Sequence, residues 1–187
     1  MPDPVLTLAG AARDGLRKDQ VYALVETGGL ERVGRGVFVD PGRIDPAWAS
    51  LAAASALKPA STLCLTSALV YYDLSDAIPF GTDIALPRGV RHPAGFDRVI
   101  WHSFDPDTFE LGRTSLEQDG LRLSIYSAER TIVDSFRLAH TEGTDQACEA
   151  LRRWVGKTGS QPSSLLDLAT SFPKAKPRIR AALEVLL

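Results

Sequence analysis

Residues 126–137, YSAERTIVDSFR, place Glu129, Arg130, Asp134 and Arg137 within a short stretch whose composition favours a helix. Ser127 suits an N-cap, and Glu129 in the first turn suits the positive end of the helix dipole. At about 100° per residue, Ile132, Phe136 and Ala139 share one face with Val133 at its edge, which predicts a core side. Arg130, Asp134 and Arg137 fall on the opposite side, where i, i+3 and i, i+4 spacings allow ion pairs. Such a cluster is expected to be either an exposed salt-bridge ladder, worth roughly 0.3–0.5 kcal/mol per pair, or a charged surface for a protein partner. Acid–base catalysis is the weaker reading. It requires displaced pKa values in a cleft, and an exposed, mutually neutralising cluster gives no reason to expect them.

Other chemistry-bearing residues are more scattered. IALPRGVR (84–91) ends a strand with Arg88 and Arg91 beside a proline and a glycine, a loop suited to phosphate, to an acidic partner or simply to solvent. His92, His102 and His140 show no metal-ligand spacing, and no metal site is expected. Asp73, Asp83 and Asp134 are the carboxylates left for a phosphotransferase, as metal ligands or bases. No phosphate-cradling glycine loop or kinase signature accompanies them, so no cofactor is expected outside that alternative, which would need ATP and Mg.

The elements that must position these groups follow from periodicity and punctuation. Residues 5–28 read as two helices broken at Asp14-Gly15, the first capped by Thr7 and the second apolar at Val21, Leu24 and Val25. Gly28 and Gly29 stop the second helix. LERVGRGVFVD then alternates around Gly34-Arg35-Gly36 as a hairpin. Helix, turn, helix, hairpin is the order of a winged helix-turn-helix, and Pro41-Gly42 closes the unit. Beyond it, helices are predicted at 45–57 and 65–74, the latter capped by Thr66. Strands follow at 82–87 and 98–104, and a hairpin turns at Asp119-Gly120. Helices at 128–140, 144–157 and 163–172 and an amphipathic piece to residue 187 complete the chain. The expected fold class is α+β: residues 1–42 form the winged module, and 43–187 a mixed α/β domain with a short antiparallel sheet and several helices.

In a helix-turn-helix the second helix enters the major groove and the wing reaches the backbone or minor groove. Arg13, Arg17, Lys18, Gln20 and Tyr22 occupy the helical positions. Arg32 and Arg35 occupy the wing, among glycines that let backbone approach a phosphate. Asp19 and Glu26 oppose this, so a dimer or cooperative array is expected for affinities of about 10⁻⁸ M. The whole chain offers no basic excess, with 21 Lys and Arg against 23 Asp and Glu, so nucleic-acid binding has to be local. Two separated cysteines, Cys64 and Cys148, argue against a disulfide framework and fit a reducing cytoplasm. No apolar run approaches the roughly 18 residues of a membrane span, so neither export nor a membrane partner is expected.

The runs DGLRKDQVYALVETGGLERVGRGVFVDP, LTSALVYYDLSDAIP, IALPRGVRHP and IYSAERTIVDSFR, in that order, resemble the AbiEi antitoxin family of type IV toxin–antitoxin systems. The resemblance runs from about residue 8 to the end. It implies an N-terminal winged helix-turn-helix that represses its own operon at inverted repeats, with a homodimer on the DNA. It also implies a C-terminal domain that neutralises a nucleotidyltransferase toxin encoded next to it. Arg88, Arg91, Glu129, Arg130, Asp134 and Arg137 are then the expected toxin-facing residues. One departure is that family members usually carry another helix ahead of the one expected at residue 7, so a three-helix core is expected to be incomplete. A module of this size is expected to lean on the C-terminal domain or on a second subunit. Two other functions stay open: a phosphotransferase that inactivates the toxin by phosphorylation, and a ligand-responsive transcription factor with no toxin.

Overall fold

The computed structural model describes residues 3–186; positions 1, 2 and 187, the outer ends of the expected module and of the last amphipathic piece, lie outside them. The fold is α+β. An unexpected strand, β1 (Val5–Thr7), precedes the first helix, within the stretch 5–28 read as two helices. Thr7 ends the strand and caps α1 (Leu8–Arg13), its hydroxyl accepting from the Gly10 amide at 3.0 Å. After the turn at Asp14-Gly15, with Gly15 at φ 79°, comes α2 (Lys18–Glu26). The expected hairpin is present as β2 (Glu31–Gly34) and β3 (Val37–Val39). β3 is the middle strand of an antiparallel sheet ordered β1-β3-β2.

All three residues of β3 are buried, although alternate residues of a strand point to opposite faces. Phe38 joins Ala11 and Val21 on one side. Val37 and Val39 join the cluster of α3 (Pro46–Leu57) on the other. The alanines of α3 let backbones approach closely, and this helix also touches the second sheet. The N-terminal unit therefore shares its core with residues beyond Pro41-Gly42.

The second sheet has five strands in the order β6-β5-β4-β8-β7. They are β4 (Thr62–Leu63), β5 (Thr82–Pro87), β6 (Val99–Phe104), β7 (Arg113–Gln118) and β8 (Leu121–Tyr126). It is mixed, not antiparallel as expected. β5 pairs parallel to β6, and β4 parallel to β8. The expectation failed at β4, two residues too short to show alternation, and at the parallel return from β5 to β6 through residues 88–98. The Asp119-Gly120 hairpin is as expected, with Gln118 opposite Leu121.

α4 (Leu65–Tyr71) begins before Thr66, which is thus not its cap; the Thr66 hydroxyl instead accepts from Gln146 Nε2 at 2.9 Å. A short α5 (Pro106–Phe109) links β6 to β7. Then come α6 (Ala128–Arg137) and α7 (Ala139–Glu142), which divide the single helix expected at 128–140. α8 (Thr144–Val155), α9 (Pro162–Ala169) and α10 (Lys176–Leu186) follow. α6 is the hub, with Ile132, Val133 and Phe136 packed among Leu69, Leu151, Trp154, Leu165 and Ile179. Cys64 is buried and Cys148 exposed. Among the described residues no helix is long and apolar enough to cross a membrane.

Candidate nucleic-acid interface

α2 turns Val21 inward and leaves Arg17, Lys18, Asp19 and Gln20 exposed at its start, with Arg13 exposed at the end of α1. Gln20 is committed to the helix end: its Oε1 accepts from the Arg17 amide at 2.8 Å. This satisfies one of the donors a helix start leaves unpaired and leaves the Gln20 amide group free to donate. Arg17 pairs with Asp19 at 3.2 Å, both largely in solvent, where such a pair is weak and easily exchanged for a phosphate. Lys18 Nζ stands 5.8 Å from the Tyr22 ring centroid, and Tyr22 meets Phe38 edge-on at 5.7 Å. Tyr22 is thus half-buried, anchoring α2 to β3.

The hairpin departs from expectation. Arg32 and Arg35 are exposed, but the tip is not open backbone. The Arg35 amide donates to the Ala94 carbonyl at 2.9 Å. Gly34 is buried, and a Cβ there would lie 2.4 Å from the Phe96 ring. The glycine expected to admit a phosphate admits an aromatic ring of the 88–98 loop instead. That leaves the side chains of Arg32 and Arg35 as the hairpin's basic groups.

The charged cluster of α6 is the largest correction. Arg130 and Asp134 are fully buried and Glu129 is half-buried; among the three charges of the expected ladder only Arg137 reaches solvent, with its side chain 25% exposed. Arg130 Nε donates to Asp134 Oδ2 at 2.9 Å, and Nη1 donates to the carbonyls of Thr108 and Leu111. The guanidinium carbon lies 4.3 Å from the Tyr126 centroid and 4.6 Å from that of Phe172. Arg137 takes the other carboxylate oxygen at 2.9 Å and faces Phe104. Burial pushes the Asp134 carboxyl up from its ordinary value, against the pull of the two guanidiniums. The helical wheel identified a polar side correctly, but that side meets carbonyls and rings rather than water. Neither an exposed ladder nor a toxin contact through Arg130 and Asp134 fits this geometry.

The carboxylates suggested for phosphotransfer have separate surroundings. Asp134 belongs to the arginine cluster, and Asp73 is exposed just past α4 at φ 62°. Asp83 is buried, accepting from the Ser67 amide and hydroxyl at 3.1 and 3.0 Å and lying 2.9 Å from His102 Nε2. Ser67 Oγ in turn accepts from the Asp83 amide at 2.8 Å. Sequence reasoning missed this Ser-Asp-His set, whose members are far apart in the chain. Its order is wrong for an activated serine, since the hydroxyl donates to the carboxylate and not to the imidazole. It ties the start of α4 to β5. Among the described residues no group of three or more His, Cys, Asp or Glu could hold a metal ion.

The 88–98 loop brings Arg88 to 3.8 Å from Asp105 and leaves Arg91 exposed. Elsewhere, Ile78 and Phe80 are 92% and 102% exposed in the segment between α4 and β5. They adjoin a groove of about 390 Å³ lined by Trp48, Val70, Tyr71 and Arg98. No family model matches the chain, and no curated protein matches it.

Proposed function

We propose that the chain is an antitoxin that represses its own operon. α1 and α2 act as a helix-turn-helix with α2 as recognition helix, and β2–β3 acts as the wing. Two copies occupy the two halves of an inverted repeat. The observation that carries this reading is the exposure of basic side chains on both the recognition helix and the hairpin. Ala11, Val21 and Phe38 pack together inside the unit, while Arg13, Arg17, Lys18, Arg32 and Arg35 remain exposed, as do Asp3, Asp14, Asp19, Glu26 and Glu31. Residues 3–40 carry five basic against six acidic side chains, so phosphate contact rests on where the individual Arg and Lys groups stand and not on a net basic charge. The test is fluorescence anisotropy with a duplex containing the inverted repeats upstream of the operon. Arg17→Ala with Lys18→Ala is expected to weaken binding at least tenfold and to lower the slope of log K against log salt by about 2. Equal affinity for the variant and the parent would refute the assignment of α2.

The partner is a nucleotidyltransferase toxin, an assignment that rests on the resemblance of the sequence. Support for a protein contact comes from the fully exposed Ile78 and Phe80, since exposed apolar clusters mark interaction surfaces. The toxin encoded beside it is expected to co-elute with the chain in gel filtration at unchanged intact mass, and Ile78→Asp with Phe80→Asp is expected to abolish co-elution. A toxin that gains one phosphate only in the presence of ATP and never co-elutes would favour the phosphotransferase instead.

A further inference from the structure

We infer that the 88–98 loop is part of the nucleic-acid-binding edge, with Arg91 and Arg98 contacting backbone phosphates beside Arg35. This rests on the DNA-binding reading of α2 and the hairpin, and adds to it an element from outside the N-terminal unit. The loop covers the hairpin tip. Ala94 accepts from the Arg35 amide, Phe96 packs over Gly34, and a Cβ on Gly95, at φ 79°, would lie 3.0 Å from the Arg35 nitrogen. Both legs of the loop are fixed to β6. His92 stacks on Trp101 at 5.5 Å and reaches Ser103 Oγ at 3.1 Å, and Phe96 meets Trp101 edge-on at 5.5 Å.

Two consequences follow. The backbone amide that an open wing tip would offer to a phosphate is already bonded, so a duplex arriving at the tip meets the outer side of the loop. Arg91, Ala94, Gly95, Asp97 and Arg98 are all exposed, and Arg98 also borders the groove beside Tyr71 and Phe80. Arg91 and Arg98 each lie three residues from the pinned pair Ala94-Gly95, hence within about 11 Å of it along the chain. Duplex DNA carries about one charge per 1.7 Å of axis, so a backbone lying along the loop from Arg35 would offer phosphates to these arginines. Asp105 stands beside Arg88, whereas among the described residues no carboxylate forms an ion pair with Arg91 or Arg98. Asp97 is the one acidic side chain in the loop. An acidic protein partner would use the same guanidiniums, but the attachment of the loop to the hairpin favours DNA.

The experiment compares the full chain with Arg91→Ala/Arg98→Ala, Arg35→Ala and Arg152→Ala, titrating the same operator duplex from low to high salt and measuring thermal unfolding of each protein. The expected result is a loss of roughly tenfold or more in affinity and a slope reduced by about 2 for the double variant. Arg35→Ala should lower the slope by about 1, and Arg152→Ala, on α8, should change nothing. A double variant that binds like the parent while Arg35→Ala weakens binding would overturn the role of the loop alone. Loss of toxin co-elution with unchanged DNA binding would overturn it in favour of a protein partner. A parent chain that binds no duplex would overturn the DNA reading itself and the loop with it.

Discussion

Arg130→Ala is expected to lower the unfolding free energy by about 3–5 kcal/mol, a large part of the 5–15 kcal/mol typical of a domain. The magnitude follows from what is left behind. Asp134 keeps Arg137 but loses its fully buried partner, and the carbonyls of Thr108 and Leu111 lose the Nη1 donor. Tyr126 and Phe172 would then flank a void where the guanidinium had been stacked. Lysine is a poor substitute, because one ammonium cannot meet a carboxylate and two carbonyls in the fork geometry of a guanidinium; Arg130→Lys should fall between alanine and the parent. Arg130→Met with Asp134→Leu should recover part of the loss by removing both buried charges, the two carbonyls still being short of a donor. Urea unfolding at constant m-value measures all three. An alanine variant as stable as the parent would mean that Arg130 is solvent-exposed, restoring the surface role that its sequence context suggested.

That contrast shows where the sequence was informative. Segments whose pattern is local were legible: the strand 82–87, the Asp-Gly hairpin, the helix from Pro46, and the caps at Thr7 and Ser127 all follow from nearest-neighbour chemistry. Elements defined by partners elsewhere in the chain were not. β4 consists of Thr62 and Leu63 and exists because β5 and β8 flank it, and β1 exists because β3 lies beside it. The α6 wheel gave the right angular division and the wrong solvent exposure, because periodicity separates polar from apolar without stating what the polar side faces. The basic set of the N-terminal unit was legible by residue type. Its limits were not: the capping role of Gln20, the packing of Tyr22 and the covered hairpin tip all depend on three-dimensional neighbours.

The covered tip makes Gly34→Ala an informative substitution. The added Cβ would sit 2.4 Å from a Phe96 ring carbon, where nonbonded carbons settle at about 3.5–4.0 Å. Gly34 has no left-handed backbone requirement, so the conflict is with the ring alone. Overpacking of this kind is expected to cost about 1–3 kcal/mol. Phe96→Ala should itself destabilise the chain by loosening the contact with Trp101, yet in its background Gly34→Ala should become nearly neutral. The resulting coupling of about 1–2 kcal/mol, read from a double-mutant cycle of urea unfolding, would report the docking of loop on hairpin. The stability change and the DNA measurement then constrain each other. If relief of the clash lifts the loop from the tip, Gly34→Ala should reproduce the reduced salt slope of Arg91→Ala/Arg98→Ala while every arginine is still present. If instead the hairpin yields and the loop stays, affinity should fall through Arg32 and Arg35. Additive effects in the cycle would show that Gly34 and Phe96 do not pack together, removing the physical link between the loop and the wing.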